Sequence, residues 1–406
     1  MSCAWPANTR TSAASNKPVL IVPDKDADGL AAGAILYHTL TDGLGLDPAL
    51  ISVHLVAKGS NIHDPAERAA MAAHDPAYII VLDQGSREAP PVVDNPAVRS
   101  LIIDHHFAPS DSSVPAHSER VSAWDCLPVA TSSLLTYLIC RPLTPDPLDK
   151  CDWLAVVGTQ GDLGNAVAWT PPFPNMRATI KKYKKRRIDT AVSLVNAPRR
   201  TAGYSVRDAW DALLRAGAPA DLEADARLEQ ARQEVKAETA RCARVPPRFS
   251  ADGRVAVLRL HSTAQIHPII AARWAGFLTG AHLEVVMVAN EGYMPGRVHF
   301  SCRVPKAVRG RGVDIIEVLE GIAARSEDEG FRARLGQSFA RGHKEASGGV
   351  VGLDEFAELL RLMGVTAGSG GPANNSGGKK LGPEDLHVDG GNRNGIMNYF
   401  SVQGQF

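Results

Sequence analysis

Four short apolar runs in the first 165 residues lead into acids. Val19-Leu20-Ile21-Val22 precedes Asp24-Lys25-Asp26-Ala27-Asp28-Gly29, and Tyr78-Ile79-Ile80-Val81-Leu82 precedes Asp83. Leu101-Ile102-Ile103 precedes Asp104-His105-His106, and Leu154-Ala155-Val156-Val157 precedes Gly158-Thr159-Gln160-Gly161-Asp162. Carboxylates joined by an imidazole make a donor set that suits Mn²⁺ or Mg²⁺ better than structural Zn²⁺. Taken alone, Asp24-x-Asp26-x-Asp28-Gly29 reads as a metal site, a calcium-type loop or a solvated acidic turn. A calcium loop needs Glu at its twelfth position, where this chain has Ile35. His105-His106 alone reads first as a buried structural pair. Gathered in one place, the acids repel one another and call for cations. Two ions about 4 Å apart would need a bridging carboxylate; they lower the pKa of a water and clamp phosphoryl oxygens.

Such gathering requires a particular scaffold. Short Val- and Ile-rich runs read as strands buried on both faces, as in a parallel sheet. Ligands of open parallel sheets collect beyond the carboxyl ends of the strands. The sequence therefore predicts an α/β fold in which all four runs are strands delivering acids to one edge. Ala31–Leu40 and Ala130–Cys140 read as helices, the second capped by Thr131. Pro171-Pro172-Phe173-Pro174 breaks the series, and the basic run Lys181–Arg187 follows, with Tyr183 inside it. That run reads equally as a solvated face or as a phosphate track with Tyr183 stacking on a base. Leu222–Arg244 reads as a charged connecting helix. Beyond it, Val255–Leu258, Leu283–Val288 and Arg297–Cys302 read as strands, and Ile269–Leu278, Asp314–Leu319 and Leu353–Met363 as helices. The expected organisation is a disordered N-terminus (1–17), an N-terminal parallel-sheet domain (18–190) and a helical linker (191–250). A smaller α/β C-terminal domain (251–365) and a disordered Gly-, Asn- and Ser-rich tail (366–406) complete it.

Composition narrows the setting. Hydrophobic content is 44% and charged content 22%, a globular mix, and Lys+Arg equals Asp+Glu at 44 each, so net charge names no partner. No apolar run reaches membrane-spanning length, and no membrane association is expected. The six cysteines lack CxxC spacing, which argues against a zinc site and for a reducing intracellular compartment, cytoplasmic or nuclear. The first 17 residues carry Arg10 and Lys17 and no acid, which leaves organellar import open.

The four motifs, in this order, resemble those of the DHH phosphoesterase superfamily, and most of all RecJ-type exonucleases and related oligonucleotide phosphodiesterases. The resemblance covers roughly residues 18–365 and rests on Asp24–Gly29, Leu82-Asp83-Gln84-Gly85, Asp104-His105-His106 and Gly158–Asp162. It implies a pair of Mn²⁺ ions, or Mg²⁺, held by Asp24, Asp26, Asp28, His105 and Asp162 and bridged by Asp83. It also implies that His106 contacts the scissile phosphate and assists the leaving oxygen, and that Asp104 orients His105. The family helix after the first motif often carries Ser or Thr, whereas Leu30-Ala31-Ala32-Gly33-Ala34 has none.

A second set of matches lies downstream. Arg341-Gly342-His343-Lys344-Glu345-Ala346-Ser347-Gly348-Gly349 resembles the glycine-rich signature of the domain that accompanies many DHH nucleases, with Arg341 where the family usually has a further Gly. By that resemblance Gly342, His343, Gly348 and Gly349 form a phosphate-binding loop. Ser301-Cys302-Arg303 resembles a segment whose Arg, here Arg303, grips the nucleic-acid backbone. Asn196-Ala197-Pro198-Arg199-Arg200 resembles another that places Asn196 and Arg200 on substrate, with Arg199 as an extra residue. The expected partner is single-stranded nucleic acid or a short oligonucleotide. Near the end, Ile396, Tyr399 and Phe400 have the spacing of a sliding-clamp peptide, although Arg393 stands where Gln is usual. Two further readings accompany the nuclease: hydrolysis of cyclic dinucleotides, nucleoside bisphosphates or pyrophosphate, and a non-catalytic replication partner. The filled ligand positions argue against the last.

Overall fold

The computed structural model describes residues 17–108, 110, 112–126, 128–144, 150–164 and 167–365. The expectations for residues 1–16 and for the tail, including Ile396, Tyr399 and Phe400, lie outside them. The chain divides into two units. One runs to Arg199 and resumes over Gly203–Gln233; the other takes Arg200–Ala202 and the chain from Glu234 onward. The segment 191–250, read as one linker, is thus shared between them. Among the described residues, no helix is long and apolar enough to cross a membrane.

The first unit is built on five parallel strands: β1 (Val19–Pro23), β2 (Ile51–Val53), β3 (Tyr78–Leu82), β4 (Arg99–Ile103) and β5 (Ser118–Val121), in the order β2-β1-β3-β4-β5. Three of the four apolar runs are its central strands. Their register is flush: Pro23 stands opposite Leu82, and Leu82 opposite Ile103. Helix α1 (Ala27–His38) is buried from Ala27 through Leu36. It packs against α3 (Ser132–Cys140), α4 (Asp152–Leu163) and α7 (Val206–Arg215). Helix α2 (Pro65–Ala72) lies before β3, and α5 (Arg177–Tyr183), α6 (Lys185–Asn196) and α8 (Pro219–Glu223) complete this unit's helices before the chain enters α9 (Ala226–Cys242).

The fourth run corrects the sequence reading. Leu154–Val157 lies in helix α4, and Trp153 through Gln160 are all buried. A segment buried on every side shows no periodicity, so a β-branched run of four cannot be told from a slice of buried helix. Gly161 makes that helix packing close. A Cβ there would come within 2.7 Å of the Ala27 Cβ on α1. The basic run also resolves into helices: it spans the end of α5 and the start of α6, broken at Lys184 (φ +66°). Tyr183 is half-buried against the core, beneath the Lys182 ammonium at 4.6 Å.

The second unit holds a mixed six-stranded sheet: β6 (Arg248–Phe249), β7 (Val255–Leu260), β8 (Val285–Met294), β9 (Arg297–Arg303), β10 (Arg341–His343) and β11 (Ala346–Gly352). Only β7 and β8 pair in parallel, joined by α10 (His267–Phe277); the other ladders are antiparallel. Alternate residues of β7 face opposite layers, as strand geometry requires. Val255 and Val257 join the core with α11 (Ile315–Ala323), α12 (Phe331–Leu335) and α13 (Leu353–Leu362), while Ala256 and Leu258 join the one with α9 and α10.

Candidate metal centre and the residues around it

The flush register places three aspartates in a row. Asp24, Asp83 and Asp104 each follow the last residue of adjacent strands, and their amides extend the ladder: Asp24 N donates to Leu82 O at 2.9 Å, Asp83 N to Ile103 O at 2.8 Å, and Asp104 N to Val121 O at 3.1 Å. Asp83, between the other two, is buried and sits at φ +65°, a left-handed conformation that Asp tolerates better than most residues. Asp26 caps α1, its carboxylate accepting from the amides of Asp28 (3.1 Å) and Gly29 (3.2 Å).

Two groups of potential ligands emerge, and Asp83 belongs to both. In each, Asp24, Asp26 and Asp83 or Asp83, His105 and His106, the ligand atoms lie within 4.8 Å of one another. His105 is buried, and its Nδ1 completes no hydrogen bond although it lies 3.5 Å from Asp28 Oδ2 and 3.7 Å from Asp83 Oδ1. Its Nε2 stands 3.3 Å from Asp162 Oδ2, so the end of α4 reaches the same place as the strand ends. The rings of His105 and His106 stack at 4.6 Å.

Electrostatics marks Asp83 as the strained member. Burial pushes its carboxyl well above the usual range, and Asp28, Asp26, Asp104 and Asp24 push the same way. Asp24 is also raised, mainly by burial, and so is Asp162. Burial opposes ionisation of Asp26 too, but the Arg199 guanidinium 3.8 Å away and the Gly29 amide bring it below the usual value. A buried crowd of acids with an orphaned imidazole nitrogen among them fits divalent cations, which would supply the missing positive charge.

Three expected roles change. Asp104 does not orient His105. It holds His106, whose Nδ1 lies 2.7 Å from Asp104 Oδ1 and whose amide donates to the same oxygen at 3.2 Å. The Ser86 amide donates to the other oxygen at 3.0 Å. Burial alone would raise Asp104; these bonds bring it down to about 2. The same pairing overcomes desolvation of His106 and raises it to about 9. Asp28 belongs to neither ligand group. Its carboxylate instead takes the Ser132 amide at 2.7 Å, the Ser133 amide at 3.0 Å and the Ser133 hydroxyl. It thus fills the open N-terminus of α3, whose expected cap, Thr131, makes no capping bond and pairs with Thr159 Oγ1 at 3.0 Å. Asn196 is buried rather than presented to substrate. Its Oδ1 accepts from Ala27 N at 3.3 Å and Arg199 Nε at 3.0 Å, which ties the acidic loop down.

The remaining candidates lie in the second unit. The Arg200 carbonyl accepts from Gln265 N at 2.9 Å. Arg303 ends β9, and its Nη1 donates to Ser301 Oγ at 2.9 Å and to the Cys302 carbonyl at 2.8 Å. The glycine-rich segment is a β-hairpin rather than a loop, with Gly342 opposite Ser347 and Gly348 opposite Ser301. A side chain at Gly348 would strike the Phe300 carbonyl oxygen, so the strand pairing itself needs glycine there. Gly342 has φ +119°, and His343 is exposed on the edge strand.

The family model of the DHH family, N-terminal domain, matches residues 18–157. The chain thus carries a DHH-family N-terminal domain over those residues. Its fold is that of RecJ: the Mn²⁺ complex of RecJ from Thermus thermophilus matches at TM-score 0.59 and 20% identity, over 88% of this chain and 53% of that one. The chain therefore spans about half the length of that enzyme. A second exonuclease RecJ structure, bound to manganese, matches at TM-score 0.52 and 19% identity, over 88% of this chain and 93% of that one. The DHH domain of a member of the s1p family of ribosomal proteins matches at TM-score 0.61 and 13% identity, over 88% of each chain. No curated protein matches in sequence.

Several residues of the DHH site escaped the sequence reading. Ser132 Oγ on α3 donates to Asp83 Oδ1 at 3.0 Å. Arg199, the extra residue of its motif, places its guanidinium 3.8 Å from Asp26. The run Thr131-Ser132-Ser133 ahead of a helix was the available signal, since such a start offers amides and hydroxyls to an anion.

Proposed function

We propose that the chain is a metal-dependent phosphodiesterase that hydrolyses single-stranded DNA or short oligonucleotides. The observation that supports this most is that Asp83 has ligand atoms within 4.8 Å of those of Asp24 and Asp26 and also of His105. Asp24 and Asp26 would hold one divalent ion and His105, with Asp162 beside it, the second, Asp83 contributing to both. Mn²⁺ or Mg²⁺ suits this oxygen-rich set. Such a pair, when bound, supplies a nucleophilic water at neutral pH and neutralises charge on the phosphoryl oxygens.

The chain's own residues do the rest. His106 is half-exposed and fixed through Nδ1 by Asp104, so its Nε2 is the atom assigned to a phosphate oxygen or the leaving oxygen. Asp104 keeps that ring protonated and oriented. Ser132 and the start of α3 hold Asp83 and Asp28 in place. Arg303 and the glycine-rich hairpin are assigned to the nucleic-acid backbone.

The test uses purified protein with Mn²⁺ and end-labelled single-stranded DNA and RNA, resolved to single nucleotides. Shortening of either strand is expected, and it stops on chelation. Cleavage of dinucleotides or pyrophosphate with no action on ten-mers would replace this reading with a small-molecule phosphoesterase. A calorimetric titration showing no Mn²⁺ or Mg²⁺ uptake would remove both.

A further inference from the structure

Phe107 directly follows His106 and, at 63%, is the most exposed large apolar side chain among the described residues. A lone exposed Phe needs no explanation, but this one is not alone. Its ring meets that of Trp124 edge-on, with centroids 5.0 Å apart and planes at 84°. Aromatic pairs favour this geometry, which holds the exposed ring against a half-buried neighbour. Leu163, 44% exposed, directly follows Asp162, whose carboxylate lies 3.3 Å from His105. Two strongly exposed apolar side chains therefore each adjoin a residue of the metal centre. Elsewhere that centre presents carboxylates and imidazoles, which gain nothing from apolar neighbours in water. The braced Phe107 ring offers an apolar face that a ligand of the polar centre could cover.

We propose that Phe107, braced by Trp124, is the stacking platform for a nucleobase adjoining the scissile phosphate. This rests on the phosphodiesterase reading and narrows its substrate to base-bearing nucleotides, as opposed to simple phosphate esters or pyrophosphate. Every base has a π-face, so the contact tolerates sequence and favours purines for their larger surface. Because the ring touches the base and not the sugar, it does not separate DNA from RNA. Phe107 stands one backbone step of about 3.8 Å from His106, the residue that the proposed function sets against a phosphate.

The experiment compares full-length wild type with Phe107→Ala, Phe107→Leu and Phe107→Trp in Mn²⁺. Substrates are a short purine oligonucleotide and a series in which one base at a time is removed to leave an abasic sugar. In wild type, loss of the base at one position is expected to lower kcat/KM about tenfold, the scale of one stacking contact. That preference should shrink to near unity in Phe107→Ala and Phe107→Leu, through KM, and persist in Phe107→Trp. Phe107→Leu keeps an apolar partner for Trp124, so matching thermal melts separate lost stacking from lost folding. A 2-aminopurine at the sensitive position should be quenched on binding wild type and much less on binding Phe107→Leu. An undiminished base preference in Phe107→Leu, with turnover intact, overturns the platform and leaves the phosphodiesterase standing. Failure of the wild type to bind or cleave any oligonucleotide overturns both.

Discussion

The two units bury titratable groups of opposite type, acids in the first and bases in the second, and in each burial works against the charged form. In the first, Asp83 and Asp24 are pushed above their usual range by desolvation, Asp83 furthest because four other carboxylates surround it. In the second, desolvation drives His267 down to about 3, and His299, Arg200 and Arg303 add to the effect. Burial lowers Arg303 as well. His267 is 4% exposed and its Nδ1 finds no hydrogen-bond partner. A buried group held away from its ordinary pKa is one whose charged form lacks a counter-charge. In the first unit that missing charge is positive, and around His267 and Arg303 it is negative. Under the proposed function a divalent metal would meet the first need and a phosphate the second, two opposite charges on which the chain's zero net charge is silent.

The strongest test of this contrast is Asp83→Asn. Losing the shared carboxylate is expected to cost at least about 10²–10³ in turnover, the scale of removing one group that stabilises transition-state charge. Calorimetric Mn²⁺ uptake should fall with it. The EDTA-treated variant should nevertheless melt above EDTA-treated wild type, since a buried repulsion has been relieved. A lower melting temperature with full turnover would break the comparison on its first side.

Arg303→Ala probes the second side with a smaller effect. A charge-assisted hydrogen bond contributes about 1.5–3 kcal/mol, so KM for single-stranded DNA should rise about 10- to 100-fold. The salt slope of binding should fall by about one phosphate contact. Mn²⁺ uptake by the same variant is expected to match wild type; a parallel loss of metal would mean that the two charge needs are not separate.

The mildest effect is on pH dependence. Because the folded-state pKa of Asp83 is raised, its contribution favours the metal-free fold at low pH and is lost as pH rises through that raised value. Metal binding must displace the proton. Mn²⁺ affinity should therefore rise with pH, by at most about tenfold per unit for each proton released. The gain in melting temperature on adding Mn²⁺ should likewise be larger at about pH 8 than at about pH 5.5. A gain independent of pH would show that Asp83 is already ionised without metal.

Much of the first unit could be read in advance. The runs at Val19, Tyr78 and Leu101 are strands, and Asp83 lies close to Asp24 on one side and to His105 on the other. The run at Leu154 misled because complete burial erases the periodicity that separates helix from strand. Asn196 was read as a substrate contact, yet it anchors Ala27 from 169 residues away, a distance no local pattern reports. In the second unit the glycines of 342–349 signalled close backbone approach correctly, but the approach is to Phe300 on the next strand.

What the sequence determined by itself is the kind of chemistry and the kind of scaffold. Val- and Ile-rich runs that stop at aspartate demand a buried sheet whose acids lie at its carboxyl edge, and that follows from local hydrophobicity and residue type. Tertiary structure alone decided which acid does what. The flush register set Asp24, Asp83 and Asp104 side by side, the start of α3 claimed Asp28, and the turn after β4 handed Asp104 to His106. Register and hydrogen-bond direction depend on segments that meet only in the packed fold, and so they leave no trace in the spacing of any one motif.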